Sequence, residues 1–253
     1  MDCRLEICCA DVESVQNAFD GGADRIELCS ALEIGGLTPS QGLIQSAVEI
    51  MGGDSVNVLI RPRSGDFVYS DAEVEVMERD ITHALRLGAG GVVVGALDCR
   101  GNIDMATSRR LRDKFPNVTM TFHRAFDLTA DADKALEEVI AMGYDRILTS
   151  GLAQDAVAGI PTIKRLVERA DGRIAIMAGA GVSASNVLDI LRATRVGDIH
   201  ASAKKKVAGR CNAAGRSGVS MGTADGDEYS RFVTWPEYVK QLKYTITSYN
   251  END

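Results

Sequence analysis

The chain has 253 residues, 45% of them hydrophobic and 25% charged, with a formal net charge of −8. Such a length suits one large domain or two small ones, and the acidic balance argues against nucleic acid or an anionic membrane surface as a partner. No run approaches the ~20 consecutive apolar residues that span a bilayer. The opening Met1-Asp2-Cys3-Arg4 lacks the basic-then-apolar order of a secretion signal. Six cysteines (Cys3, Cys8, Cys9, Cys29, Cys99, Cys211) are scattered without a CxxC pair or zinc spacing. They are expected as reduced thiols in a cytoplasmic protein.

Short apolar runs alternate with amphipathic ones along the chain. The spacing predicts strands over Arg4–Cys9, Arg25–Cys29, Val56–Arg61, Gly91–Gly95, Val118–His123, Arg146–Ser150, Arg173–Ala178 and Asp198–Ser202. Most are rich in Val, Ile and Leu, as strands covered by helices should be. Helices are predicted over Val12–Phe19 after Asp11, Gln41–Met51 after Ser40, Ala72–Leu87 after Asp71, Asp131–Met142, Ile160–Ala170, Ala184–Leu191 after Ser183, and from Pro236 to about Tyr249. Several of these end at glycines, for example Gly21-Gly22 and Gly52-Gly53. Eight units, each opened by a strand and most closed by a helix, in one chain of this size predict a single (β/α)8 TIM-like barrel spanning residues 1–253. A doubly wound open sheet is the alternative, but no GxGxxG motif opens the first unit. One connection is unusually long: residues 203–234 follow the eighth strand as a loop without expected structure, carrying Lys204-Lys205-Lys206 and then Asp225, Asp227 and Glu228. Such a loop either covers a binding site or is a solvated surface segment.

Function in barrels of this kind sits where strands end. Side chains in a strand alternate faces, so Glu6 and Cys8 share one face of the first strand, and Glu27 and Cys29 share one face of the second. If those strands are neighbours, two carboxylates and two thiols meet. A buried carboxylate is costly unless paired, which marks the place as a site. Cys9 has the opposite parity and is read as a small hydrophobe against the helices. Further round the barrel come Arg61, Arg63 and Asp66, then His123 and Arg124, Ser150, Gly179 and Gly181, and His200 and Ser202. His200 is read as a core histidine with satisfied nitrogens rather than as a ligand, and His83 as structural or surface.

Two kinds of chemistry fit this collection. Thiolates of Cys8 and Cys29 suit copper(I), a soft ion. Alternatively, Glu6 and Glu27 act as acid and base, His123 moves a proton, and Arg61, Arg63 and Arg124 hold a small anionic metabolite. In that reading Gly179-Ala180-Gly181, with Ser183 opening the next helix, and Ser202 resemble the phosphate cradle that barrels build after strands seven and eight, a tight turn without a ligand being the alternative, and Asp66 and Ser150 join the arginines in binding the substrate. Homo-oligomers are common for this size and fold.

The same residues carry a family resemblance. Leu5-Glu6-Ile7-Cys8, Gly22-Ala23-Asp24-Arg25-Ile26-Glu27-Leu28-Cys29, Gly35-Gly36-Leu37-Thr38-Pro39-Ser40, Ile60-Arg61-Pro62-Arg63-Ser64-Gly65-Asp66-Phe67, Thr121-Phe122-His123-Arg124-Ala125-Phe126-Asp127, Leu148-Thr149-Ser150-Gly151, Met177-Ala178-Gly179-Ala180-Gly181-Val182 and Asp227-Glu228-Tyr229-Ser230 resemble the CutC copper homeostasis proteins. The resemblance implies a TIM-like barrel, a cytoplasmic location, a role in copper tolerance or trafficking, and copper(I) binding by the cysteines matching Cys8 and Cys29. Two departures stand out: Ser64 where the family often has Gly, and Cys9 as an extra thiol beside Cys8.

Overall fold

The structure is a computed structural model, and it describes residues 3–211 and 229–252. Eight parallel strands close on themselves in sequence order. They are β1 (Arg4–Cys9), β2 (Arg25–Leu28), β3 (Val56–Leu59), β4 (Gly91–Val94), β5 (Thr119–Phe122), β6 (Arg146–Thr149), β7 (Ala175–Ala178) and β8 (Asp198–Ala201). Helices α1 (Val12–Asp20), α2 (Gln41–Met51), α3 (Asp71–Arg86), α4 (Met105–Lys114), α5 (Ala132–Ala141), α6 (Ile160–Ala170) and α7 (Val187–Thr194) link them, and α8 (Pro236–Asn252) ends the described chain. The predicted barrel is therefore present as one domain.

Local chemistry sets the helix starts. Asp11, Ser40, Ser70, Asp104 and Asp131 each accept a backbone N–H of the first turn. At α3 the cap is reciprocal, because Glu73 also accepts the Ser70 N–H at 2.7 Å. Ser70→Ala is expected to cost about 1 kcal/mol, measured as a lowered urea midpoint at constant m-value. An unchanged midpoint would show that the cap does not contribute to stability.

The outward strand residues Leu5, Ile7, Cys9, Ile26, Leu28, Val58, Val92, Val94 and Phe122 pack against the helices in one large core. The parity reading of Cys9 holds, since its thiol lies at 3.5 Å from the Ser14 carbonyl of α1.

Three expectations need correction. A helix, α4, occupies the connection between β4 and β5, where none was expected. Its sequence Met-Ala-Thr-Ser-Arg-Arg-Leu-Arg-Asp-Lys buries Thr107, Ser108 and Leu111, so there is little apolar periodicity to see. Residues 203–234 are not a structureless loop at their ends: β9 (Lys204–Ala208) pairs antiparallel with β10 (Ser230–Thr234). Lysines 204–206 are all exposed, so both faces of the strand are solvated there and no in–out alternation announces it. Asp225, Asp227 and Glu228 lie outside the described residues. Helix α7 starts at Val187 rather than Ala184, with Asn186 at its N-cap. Among the described residues no helix is long and apolar enough to cross a membrane.

Candidate functional site

Most TIM-like barrels fill their interior with branched aliphatics; this one places charge there. Arg25 on β2 is buried, donating through Nε to Glu6 Oε2 at 2.6 Å and approaching Asp198 Oδ1 within 2.8 Å through Nη2. Asn57 on β3 donates to the same Glu6 oxygen at 3.1 Å. Arg146 on β6 completes this floor, 3.5 Å from Asp198 and bonded to Thr121 Oγ1 at 2.9 Å. Burial favours the neutral form of Glu6, but the Arg25 guanidinium and His200 override it and hold the carboxyl far below the usual range. Glu6 is thus a fixed anion rather than a group that exchanges a proton near neutrality.

Above the floor, Glu6 Oε1 meets His200 Nδ1 at 2.8 Å. An ionised carboxylate only accepts, so Nδ1 carries the hydrogen. The imidazole also contacts Cys8; burial pulls its pKa down, yet the hydrogen bonds to Cys8 and Glu6 and the carboxylate of Glu27 raise it well above the ordinary value. Cys8 Sγ lies 3.6 Å from Glu27 Oε1 and 3.7 Å from Cys29 Sγ. The hydrogen bond with Cys29, burial and the Glu27 charge all push the Cys8 thiol up. Burial likewise raises Glu27, against the pull of His200. Cys8, Cys29, Leu59 and Val93 form a small inner apolar cluster. The four residues singled out by strand parity, Glu6, Cys8, Glu27 and Cys29, therefore do share the barrel interior.

His200 is the member that sequence reasoning passed over. It stands beside Glu6 in the β8–β1 register, and the only sequence signal for it was its inward parity at a strand end.

The rim is built differently. Arg61 donates to the carbonyls of Ile34 (3.0 Å), Gly36 (3.1 Å) and Gly65 (2.7 Å), and its guanidinium stacks over Phe67. It laces two loops over the mouth. Gly36 presses on the site: a Cβ there would lie 2.7 Å from Leu59 Cδ2, and its φ of +87° is one that L side chains rarely adopt. Arg63 is paired with Glu73 and Asp66. Arg124 is paired with Asp127 and Ser150 Oγ. Ser150 Oγ also meets Asp127 and the Ala153 carbonyl. Three groups offered for holding an anion thus already have local partners.

The glycine turn is similar. The Gly179 N–H donates to the Thr149 carbonyl at 3.0 Å, and a Cβ at 179 would lie 2.6 Å from Leu148 and 3.3 Å from His200. Its lack of a side chain makes room for core and for His200. The Gly181 carbonyl accepts from Asn186, and the Ser202 carbonyl from Thr234. His123 sits under the rim against Phe67 at 4.9 Å between ring centroids, with Nδ1 accepting the Ala125 N–H. Burial and the Arg61 charge lower its pKa to about 3, so it stays neutral at ordinary pH.

Fold and site together define a (β/α)8 barrel whose interior holds a thiol pair, a carboxylate and a carboxylate-anchored imidazole above an ionic floor. The CutC family model matches residues 3–205. The chain belongs to the CutC family. It is 48% identical over 236 residues to a CutC family protein of Vibrio campbellii, covering 92% of this chain and 95% of the relative. A CutC family protein of Bacteroides fragilis is 43% identical over 244 residues, covering 96% and 97%. The solved structure of a CutC protein from Streptococcus agalactiae, ascribed to copper homeostasis, superposes with a TM-score of 0.75 at 35% identity, covering 79% of this chain and 98% of that one.

Proposed function

We propose that this chain serves copper homeostasis in the cytoplasm by binding copper(I) between the thiolates of Cys8 and Cys29. The observation that carries the reading is the 3.7 Å separation of the two sulfurs inside the barrel. Two thiolates each ~2.3 Å from a shared ion, as in zinc–thiolate sites, would stand about 3.8 Å apart at a tetrahedral angle. Soft sulfur donors suit copper(I), and Leu59 and Val93 keep water from competing for it. Both thiols must lose protons to ligate, so binding strengthens as pH rises. Cys9 is turned to the helices and takes no part.

An anaerobic copper(I) titration against a competing chelator tests this. The Cys8→Ser/Cys29→Ser double variant is expected to lose at least about 100-fold in affinity, equivalent to ~2.7 kcal/mol. Affinity within about threefold of the parent would sink the reading. The other expectation, an enzyme acting on a small anionic metabolite at the mouth, asks Arg63 and Arg124 to release Glu73, Asp66 and Asp127 first.

A further inference from the structure

We infer that Cys8, Glu27 and His200 form a separate donor set that takes a divalent transition-metal ion of the zinc class, with Glu6 as the positioning residue for His200. This set shares Cys8 with the copper(I) pair but rests on different observations.

One donor atom from each of the three residues lies within 4.8 Å of those of the other two. They come from β1, β2 and β8, which pair side by side in the closed sheet. Independently, Glu27 Oε2 is buried without a hydrogen-bond partner. The other oxygen of that carboxylate meets only a thiol, at 3.6 Å. A carboxylate this deep with an orphaned oxygen is costly, and a cation at that oxygen removes the cost. Glu6 shows the contrast: its oxygens are met by Arg25, Asn57 and His200.

The histidine is prepared for ligation. Its Nδ1–H is spent on Glu6, so Nε2, which must give up its own proton to bind a metal, is the nitrogen left to ligate. Carboxylate–histidine–metal relays are built in this way. One thiolate, one imidazole and one carboxylate make a borderline set that suits zinc(II) or cobalt(II), whereas the paired thiolates favour copper(I). Cys29 contributes nothing required by the divalent set, and Glu27 nothing required by the copper(I) pair.

The test uses the reduced, metal-free full chain titrated anaerobically with cobalt(II). The expected result is a thiolate-to-cobalt charge-transfer band that one equivalent of zinc(II) bleaches. Cys8→Ser abolishes the band. Glu27→Gln and His200→Gln weaken cobalt binding at least about tenfold, and Glu6→Gln weakens it by about 10–100-fold with the band position shifted. Cys29→Ser keeps the band while losing copper(I), so failure of the copper reading and failure of this one are told apart. Absence of the band in the parent chain overturns the inference, whatever the variants do. So does a band that survives Cys8→Ser, or parent-like cobalt affinity in both Glu27→Gln and His200→Gln.

Discussion

Arg25→Met is expected to destabilise the barrel by about 3–5 kcal/mol, the cost of leaving buried charges without their partner. The side chain is almost wholly buried and bridges two buried carboxylates, Glu6 at 2.6 Å and Asp198 at 2.8 Å. Methionine matches its bulk but supplies no donor. Glu6 keeps His200 at 2.8 Å and Asn57 at 3.1 Å, whereas Asp198 keeps the longer contacts with Arg146 at 3.5 Å and the exposed Arg4 at 3.6 Å, so the heavier loss falls on Asp198. Arg25→Lys is expected to fall between, since an ammonium keeps the charge and loses the planar fork. Arg165→Ala is the control: its ion pair with Asp133 at 3.1 Å is exposed, and such pairs contribute at most about 1 kcal/mol. Urea unfolding of the three variants decides the matter. An Arg25→Met midpoint close to that of the control would mean that the ionic floor does not hold the barrel together.

The second large effect is a pH dependence set by His123. Unfolded, this histidine takes a proton near its ordinary value of 6.5; folded, it resists until about pH 3. Between those values the unfolded state binds one more proton, so stability falls as pH falls. The slope is about 1.4 kcal/mol per pH unit, or about 3 kcal/mol between pH 6.5 and pH 4. His123→Asn offers an oxygen to the Ala125 N–H and has nothing to titrate. Its stability is expected to stay nearly level over the same range, so that parent and variant curves converge toward acid pH. Parallel curves would refute the buried neutral imidazole. Glu6 acts lower on the scale. Its carboxyl is depressed in the folded state, so its contribution is present above about pH 4.5 and is lost on further acidification. His200 works in the opposite sense. Its raised value means a contribution that is complete below pH 6.5 and lost as pH rises through the folded pKa.

The sequence by itself determined the eight-unit barrel and the inward direction of Glu6, Cys8, Glu27 and Cys29. Both follow from short-range rules: hydrophobic period separates strand from helix, and alternation within one strand fixes which side chains share a face. The CutC motifs lie on those same residues. The polar helix Met105–Lys114 escaped because it buries too little apolar surface to leave a periodic trace, although Asp104 at its N-cap was a readable start signal. What only the tertiary structure decided is who meets whom inside. His200 reaches Glu6 across 194 positions of sequence, and Arg25 finds Asp198 through closure of the sheet. The pairing of Lys204–Ala208 with Ser230–Thr234 is also made between segments apart in sequence, though over a far shorter separation. Parity belongs to a single strand, whereas the partner of an inward charge depends on register between strands and on how the sheet closes, and no local pattern encodes either.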